Sequence, residues 1–368
     1  MKVAIVSDWL IGGGAERVVL ELHRMYPNAP IYTSYATDEW KDKLVGKVIT
    51  GYLQSWPFSK LRKFIPPLRG FWFSNLNLSE YDLVISSSGA EAKFIKTKPG
   101  TKHIAYIHAP THYYWDRYDQ YLKHPGFGVF DWLARLGLKL LVGPMRRWDW
   151  RAAQRPDRLI ANSNFTKTQI KKYYGRDSVV IHPPVDTKMF QAKSQEPKAK
   201  SQRSGFVVAG RQAPYKRFDL AVAACTKLSL PLLVIGNGPE HKKLTKIAGP
   251  TVTFLSNASD KDLVGYFQKS EAFIFPGVDD FGIVAVEAMA AGCPVIAYKA
   301  GGVLDYVNEK TGMFFDKPST QSLMSVLKKF DAAHFDNLII SSRAKSFSAE
   351  RFKEQVSLFL SQHHLRNG

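Results

Sequence analysis

Short apolar runs, each closed by glycine, proline, serine or histidine, recur along the chain with helix-length amphipathic stretches between them. Before residue 186 they read VAIVS (3–7), DLVISSS (82–88), HIAYIH (103–108), DRLIANS (157–163) and VVIHPP (179–184). After residue 204 the rhythm restarts with FVVAG (206–210), PLLVIG (231–236), VTFLS (252–256), AFIFP (272–276) and PVIAY (294–298). Runs that are apolar at successive positions suit strands buried on both faces, as in parallel sheets covered by helices. The pattern predicts an α/β chain, doubly wound twice over. Between the halves, QAKSQEPKAKSQRS (191–204) is polar, basic and nearly devoid of apolar residues, which predicts a linker. The domains expected are thus 1–190 and 205–345. In the closing segment 346–368, SAERFKEQVSLFLSQ reads as an amphipathic helix capped by Ser348, with Phe352, Val356, Phe359 and Leu360 on its apolar side.

A length of 368 residues exceeds one ordinary core and agrees with two domains. Cys225 and Cys293 stand alone in apolar surroundings, which suits reduced core thiols and argues against a disulfide framework or a cysteine metal site. The chain contains no apolar run of membrane-spanning length, and MKVAIVSDWL enters a strand directly, so a cytoplasmic protein is expected. The net charge of +19 is unevenly spread: residues 1–190 hold 28 basic and 16 acidic side chains. That excess favours an anionic partner, either nucleic acid, acidic phospholipid or a phosphorylated substrate. The absence of any nucleic-acid-binding sequence signature makes membrane the better candidate.

The most informative segment is PGVDDFGIVAVEAMAAGCP, residues 276–294. Pro276 and Gly277 end a buried strand, Asp279 and Asp280 enter a turn, and a helix begins near Gly282 and stops at Gly292. Loops at the carboxyl ends of parallel strands line the ligand crevice of such sheets, and the N–H groups of Gly282, Ile283 and Val284 would form an anion site there. Asp279 and Glu287 then flank one ligand, or else belong to an acidic surface loop and an exposed helix face. In FVVAGRQAPYKRFDLAVAAC, Arg211, Lys216 and Arg217 cluster where a strand passes into a helix. Cations oppose the macrodipole at a helix start, so their presence there points to a bound anion, the alternative being a solvated basic loop. Gly12, Gly13 and Gly14 in SDWLIGGGAERV permit close backbone approach to phosphate or sugar, though their spacing is not the dinucleotide one. His108 opens HAPTHYYWDRYDQY, where it is either a packed core residue or a ligand, beside His112, Tyr114 and Asp116. No DxD or histidine cluster with ligand spacing suggests a metal or other cofactor.

The 276–294 stretch resembles the E-x7-E signature of family 4 retaining glycosyltransferases, with Asp279 standing where the family carries glutamate. GGAERV and the G-R-x(3–4)-K-R/G-x-D pattern are similar to that family too, and Y-I-H-x-P-x-x-Y-x-W-D resembles a subgroup of bacterial polysaccharide and O-antigen mannosyltransferases. The resemblance covers essentially the whole chain. It implies a GT-B fold, two Rossmann-like domains facing a central cleft, with the last helix crossing back to pack on the first domain. It further implies transfer of a hexose, with retention and without metal, from a nucleotide sugar, pointing to GDP-mannose, to a lipid-linked glycan in surface polysaccharide assembly. On the matching positions, Arg211 and Lys216 would neutralise the diphosphate, Asp279 and His108 would meet the sugar, Glu287 the ribose, and Gly13, Gly14, Gly282, Ile283 and Val284 would line the donor. His112, Tyr114 and Asp116 would border the acceptor.

Two basic and aromatic stretches, 52–73 and 127–151, suit contact with an anionic membrane surface, or helices packed on the sheet. A UDP-sugar donor, a nucleotide-sugar epimerase of the same fold, a glycoside hydrolase and a non-catalytic basic binding module are the competing readings.

Overall fold

Among the described residues all ten expected strands form, and three more join them. The structure is a computed structural model and describes residues 1–44, 46–61, 65–126, 128–191 and 203–363. Its chain makes two units, Met1–Pro184 with Phe352–Gly368, and Val185–Arg351.

The first unit holds β1 (Val3–Ser7), β2 (Ile31–Thr33), β3 (Val48–Thr50), β4 (Leu83–Ser88), β5 (Lys102–Ile107), β6 (Arg158–Ala161) and β7 (Val179–Val180) in one sheet of order β3-β2-β1-β4-β5-β6-β7. Every pairing is parallel; β1 meets β2 at Ile5↔Ile31 and β4 at Ile5↔Ile85. The strand order reverses between β1 and β4, so their connections leave to opposite sides and open a crevice at the carboxyl ends. IYT and VIT, the segments of β2 and β3, are too short to stand out as apolar runs. Ile5, Val19, Leu22, Ile31 and Ile85 share one apolar cluster with Phe352, Val356, Phe359 and Leu360 of the closing helix Ala349–Gln362. Ser348 Oγ accepts the N–H of Arg351 at 3.2 Å, as its capping role requires.

The second unit repeats the plan with β8 (Phe206–Ala209), β9 (Leu232–Ile235), β10 (Val252–Leu255), β11 (Ala272–Phe275), β12 (Val295–Tyr298) and β13 (Gly312–Phe315), in the all-parallel order β10-β9-β8-β11-β12-β13. The switch point lies between β8 and β11. β13 escapes a sequence reading because it opens with glycine; a Cβ on Gly312 would stand 1.9 Å from the Val295 carbonyl oxygen.

The chain changes unit at Pro184–Val185, ahead of the expected linker at 191–204. Val185 and Phe190 lie in the second apolar cluster with Phe273, Val286 and Met289, and the Val185 N–H donates to the Phe347 carbonyl at 2.9 Å. Arg203 donates to the Gly292 carbonyl at 2.7 Å and to Asn337 Oδ1 at 2.9 Å, so the far end of that segment is also docked. Residues 192–202 lie outside the described residues. Cys225 and Cys293 are free and buried, and burial pushes each thiol up to about 12.

Candidate active site

The exits of β8 and β11 bring Lys216 and Asp279 together at the switch point of the second sheet. Pro214–Lys216 form a single 3-10 turn, Arg217 takes a left-handed conformation (φ 52°), and the helix Phe218–Leu228 follows. Lys216 Nζ donates to Asp279 Oδ2, and both side chains are mostly buried. Arg217 turns instead to Asp219, whose two oxygens accept from Nε and Nη2 at 3.0 Å each. That local pair consumes its charge, while Arg211 is exposed at the start of the loop. Gly277 permits the approach of the two loops, since a Cβ there would lie 2.4 Å from the Tyr215 carbonyl oxygen.

The loop before the helix Ile283–Ala290 is held from behind by the exit of β12. Gly302 N–H donates to the Asp279 carbonyl at 2.9 Å, and the Tyr306 hydroxyl donates to the carbonyls of Phe281 at 2.8 Å and Gly282 at 3.2 Å. Gly282 caps the helix in a left-handed conformation (φ 89°), with the Phe275 ring and the Tyr306 hydroxyl so close that a Cβ would overlap both. This geometry fixes the N–H groups that begin at Ile283 and Val284, the partial positive end of the helix. Glu287 is only 2% exposed, so it is no surface residue of an ordinary helix. Gly292, left-handed at φ 78°, stops the helix as its position suggested.

In the first unit the carboxyl edge of the sheet carries the other expected residues. His108 follows β5; its Nε2 lies 2.7 Å from Ser87 Oγ, and its carbonyl accepts from Asn162 Nδ2 at 2.9 Å. The ring is partly exposed, so it is held without being sealed into the core. His112 Nδ1 and Asp116 Oδ1 are 2.8 Å apart, each side chain 20% exposed, and Arg117 Nε stands 3.6 Å from the same carboxylate. Tyr114, expected at the acceptor, is buried and sits 3.5 Å from Glu91 Oε1, inside a buried network. In the glycine-rich turn, Gly13 caps the helix Gly14–Met25, but Glu16 Oε1 accepts the N–H groups of Ile11 at 3.3 Å and Gly12 at 3.1 Å. The turn therefore carries a carboxylate of its own chain, and burial pushes the Glu16 carboxyl up.

Residues 12–189 match the Glycosyltransferase Family 4 model and residues 189–332 the Glycosyl transferases group 1 model. Together the two models span residues 12–332 and support a family 4 glycosyltransferase. Over 169 residues it is 31% identical to the D-inositol 3-phosphate glycosyltransferases of Mycobacterium tuberculosis and Mycobacterium bovis; the match spans 40% of this chain and 35% of theirs. Among solved structures, the sucrose-phosphate synthase of Thermosynechococcus elongatus is similar at a TM-score of 0.73 and 16% identity, covering 99% of both chains. Anabaena HepE in complex with UDP-glucose is similar at 0.67 and 19%, covering 98% of this chain and 100% of that one. With two parallel-sheet Rossmann-like units and these likenesses, the fold of the chain is GT-B.

Sequence reasoning missed the buried charges that set the first sheet's crevice. Asp8, leaving β1, accepts on Oδ2 the N–H groups of Gly89 at 2.7 Å and Ala90 at 2.8 Å, and on Oδ1 that of Ala92 at 2.6 Å, lacing the exits of β1 and β4. Burial, reinforced by the Glu91 charge, outweighs these bonds and pushes its carboxyl up to about 6. Behind it Arg69 pairs with Glu91 at 2.9 Å and Lys93 with Asp149 at 2.7 Å, all four side chains almost wholly out of water. The signal was present in AEAKFIK, where charges interrupt an otherwise apolar turn, but no spacing rule singles it out.

Proposed function

We propose that the protein transfers a hexosyl group, with retention, from a nucleoside-diphosphate sugar to a hydroxyl of a lipid-linked glycan. The observation that carries this reading is the Lys216–Asp279 pair at the β8/β11 switch point, beside the helix start at Gly282–Val284. An ammonium has three N–H donors, and a carboxylate in reach occupies one of them. An arriving diphosphate offers Lys216 more negative charge than Asp279 does. Lys216 turns to the phosphate, and Asp279 is released to accept hydroxyls of the sugar. Arg211 adds a two-pronged donor from the exposed side, and the helix N-terminus contributes oriented N–H groups. Glu287 takes the ribose hydroxyls.

The bond from the anomeric carbon to the diphosphate breaks as the acceptor oxygen bonds to the same face. The acceptor's proton passes to an oxygen of the leaving phosphate, so no protein base is needed. Charge developing on the leaving group is met by Arg211, Lys216 and the helix dipole in place of a divalent cation. Chelator therefore leaves turnover unchanged.

The Y-I-H-x-P-x-x-Y-x-W-D resemblance around His108 supports GDP-mannose as donor. The likeness to HepE, solved with UDP-glucose, makes a uridine sugar the second candidate. A thermal-shift series with GDP-mannose, UDP-glucose and ADP-glucose tests both: GDP-mannose is expected to raise Tm most. A larger rise with UDP-glucose overturns the donor assignment, and no rise with any of them overturns the function.

Contact with an anionic membrane at the cytoplasmic face, where a lipid-linked acceptor resides, is part of the same proposal. Among the described residues no helix is long and apolar enough to cross a membrane. Exposed Trp56 and Phe71 in the first basic stretch, and Trp132, Leu133, Leu136 and Leu140 in the second, supply interfacial side chains, whereas Arg69 and Trp72 are buried and do not.

A further inference from the structure

The helix Asp131–Ala153 carries a cavity that the transfer chemistry does not use. It measures about 360 Å³ and is walled by Trp115, Arg146, Arg147, Trp150 and Arg151. Two of its walls are fixed. Trp115 donates its indole N–H to the buried Asp149 at 2.7 Å, and Arg146 Nε donates to the Tyr114 carbonyl at 2.5 Å, its guanidinium lying 5.4 Å from the Trp115 ring centre and 5.0 Å from that of Tyr118. Among the described residues none of the three arginines has a carboxylate within ion-pair distance. Three arginines line one opening, and forked guanidinium donors fit phosphate oxygens.

The same helix says which phosphate. At about 3.6 residues per turn, Leu133, Leu136, Leu140, Arg147 and Arg151 fall on one face. The three leucines are exposed, so the stripe is apolar in its first half and cationic in its second. Leu140 and Arg147 are about 10 Å apart along the axis. A free phosphate would use only the arginines; a molecule that is hydrocarbon at one end and phosphate at the other uses the whole stripe. We propose that this cavity seats the phosphate headgroup of a bilayer lipid while Leu133, Leu136 and Leu140 enter the acyl boundary. This rests on the membrane contact proposed above and adds to it one defined headgroup site.

The test is co-sedimentation of the full chain with phosphatidylcholine vesicles containing or lacking phosphatidic acid. Wild type is expected to bind only the vesicles with phosphatidic acid. Arg147→Gln/Arg151→Gln should lower that partitioning by about thirtyfold, the loss expected for two cations at an anionic surface. Lys98→Gln/Lys102→Gln, with the same charge removed before and at the start of β5, should stay within about threefold. Equal losses in the two double variants overturn the headgroup seat and leave a diffuse electrostatic contact standing. No binding by wild type overturns the membrane reading itself. Full binding by Leu136→Gln/Leu140→Gln overturns the entry of the leucines into the acyl boundary. Unchanged Tm for each variant shows that the fold is retained.

Discussion

Lys216 and Asp279 hold each other where the exits of β8 and β11 meet, and in the proposed mechanism that pairing lets two side chains of opposite charge serve one substrate. Removing either takes an ion-pair partner from a mostly buried charge, which should cost stability as well as function. Asp8 makes the corresponding argument in the first sheet. Asparagine there offers one acceptor oxygen where three N–H groups converge, so Asp8→Asn should lower stability at pH 7 by about 2 kcal/mol. Its pH dependence has a definite sign. The folded carboxyl titrates at about 6 and the ordinary value is 3.8, so between them the native state holds a proton that the unfolded chain has released. Stability from this group is therefore greatest below about pH 4, falls as pH rises to about 6, and is level above. Urea unfolding across that window should show the wild-type minus Asp8→Asn difference declining with pH; a rising difference would refute the assignment.

The helix Ile283–Ala290 is short and depends on its start. Gly282 is left-handed and its missing Cβ makes room for the Phe275 ring and the Tyr306 hydroxyl, which in turn hold the loop that carries Asp279. Gly282→Ala should cost about 2 to 4 kcal/mol of stability by urea denaturation, from strain and overlap together, and should weaken donor binding more than Gly265→Ala, whose glycine faces open space. Equal donor affinity in the two variants would show that the helix start is not part of the donor site. Elements of this kind were legible in sequence because glycine, proline and acidic residues mark them directly. Those that were not legible had no such mark: the short strands β2 and β3 have too few residues to show a pattern, and β13 begins at a glycine that reads as a turn.

Across the whole molecule, the parallel strands and their switch points followed from runs of apolar residues, since only sheets covered on both sides need them. The division into two units did not follow from composition. The polar segment at 191–204 reads as the boundary, yet Val185 and Phe190 are already in the second core, because a few apolar residues at a strand's exit outweigh the polar run that follows them. The candidate donor site was legible as a set of residues and not as a geometry. Arg211, Lys216, Asp279 and Glu287 stand out by type and place, whereas the pairing of Lys216 with Asp279, the diversion of Arg217 to Asp219 and the occupation of the glycine-rich turn by Glu16 are settled by packing. In the proposed reaction the β8/β11 switch point stabilises a leaving diphosphate. Turnover of GDP-mannose by Lys216→Ala and Arg211→Ala, measured at saturating donor, tests it most directly. Each variant should lose about 2 to 4 kcal/mol of barrier stabilisation, a fall of roughly thirtyfold to a thousandfold, as for a lost oxyanion donor. Turnover within about threefold of wild type in both would show that neither cation stabilises the leaving group.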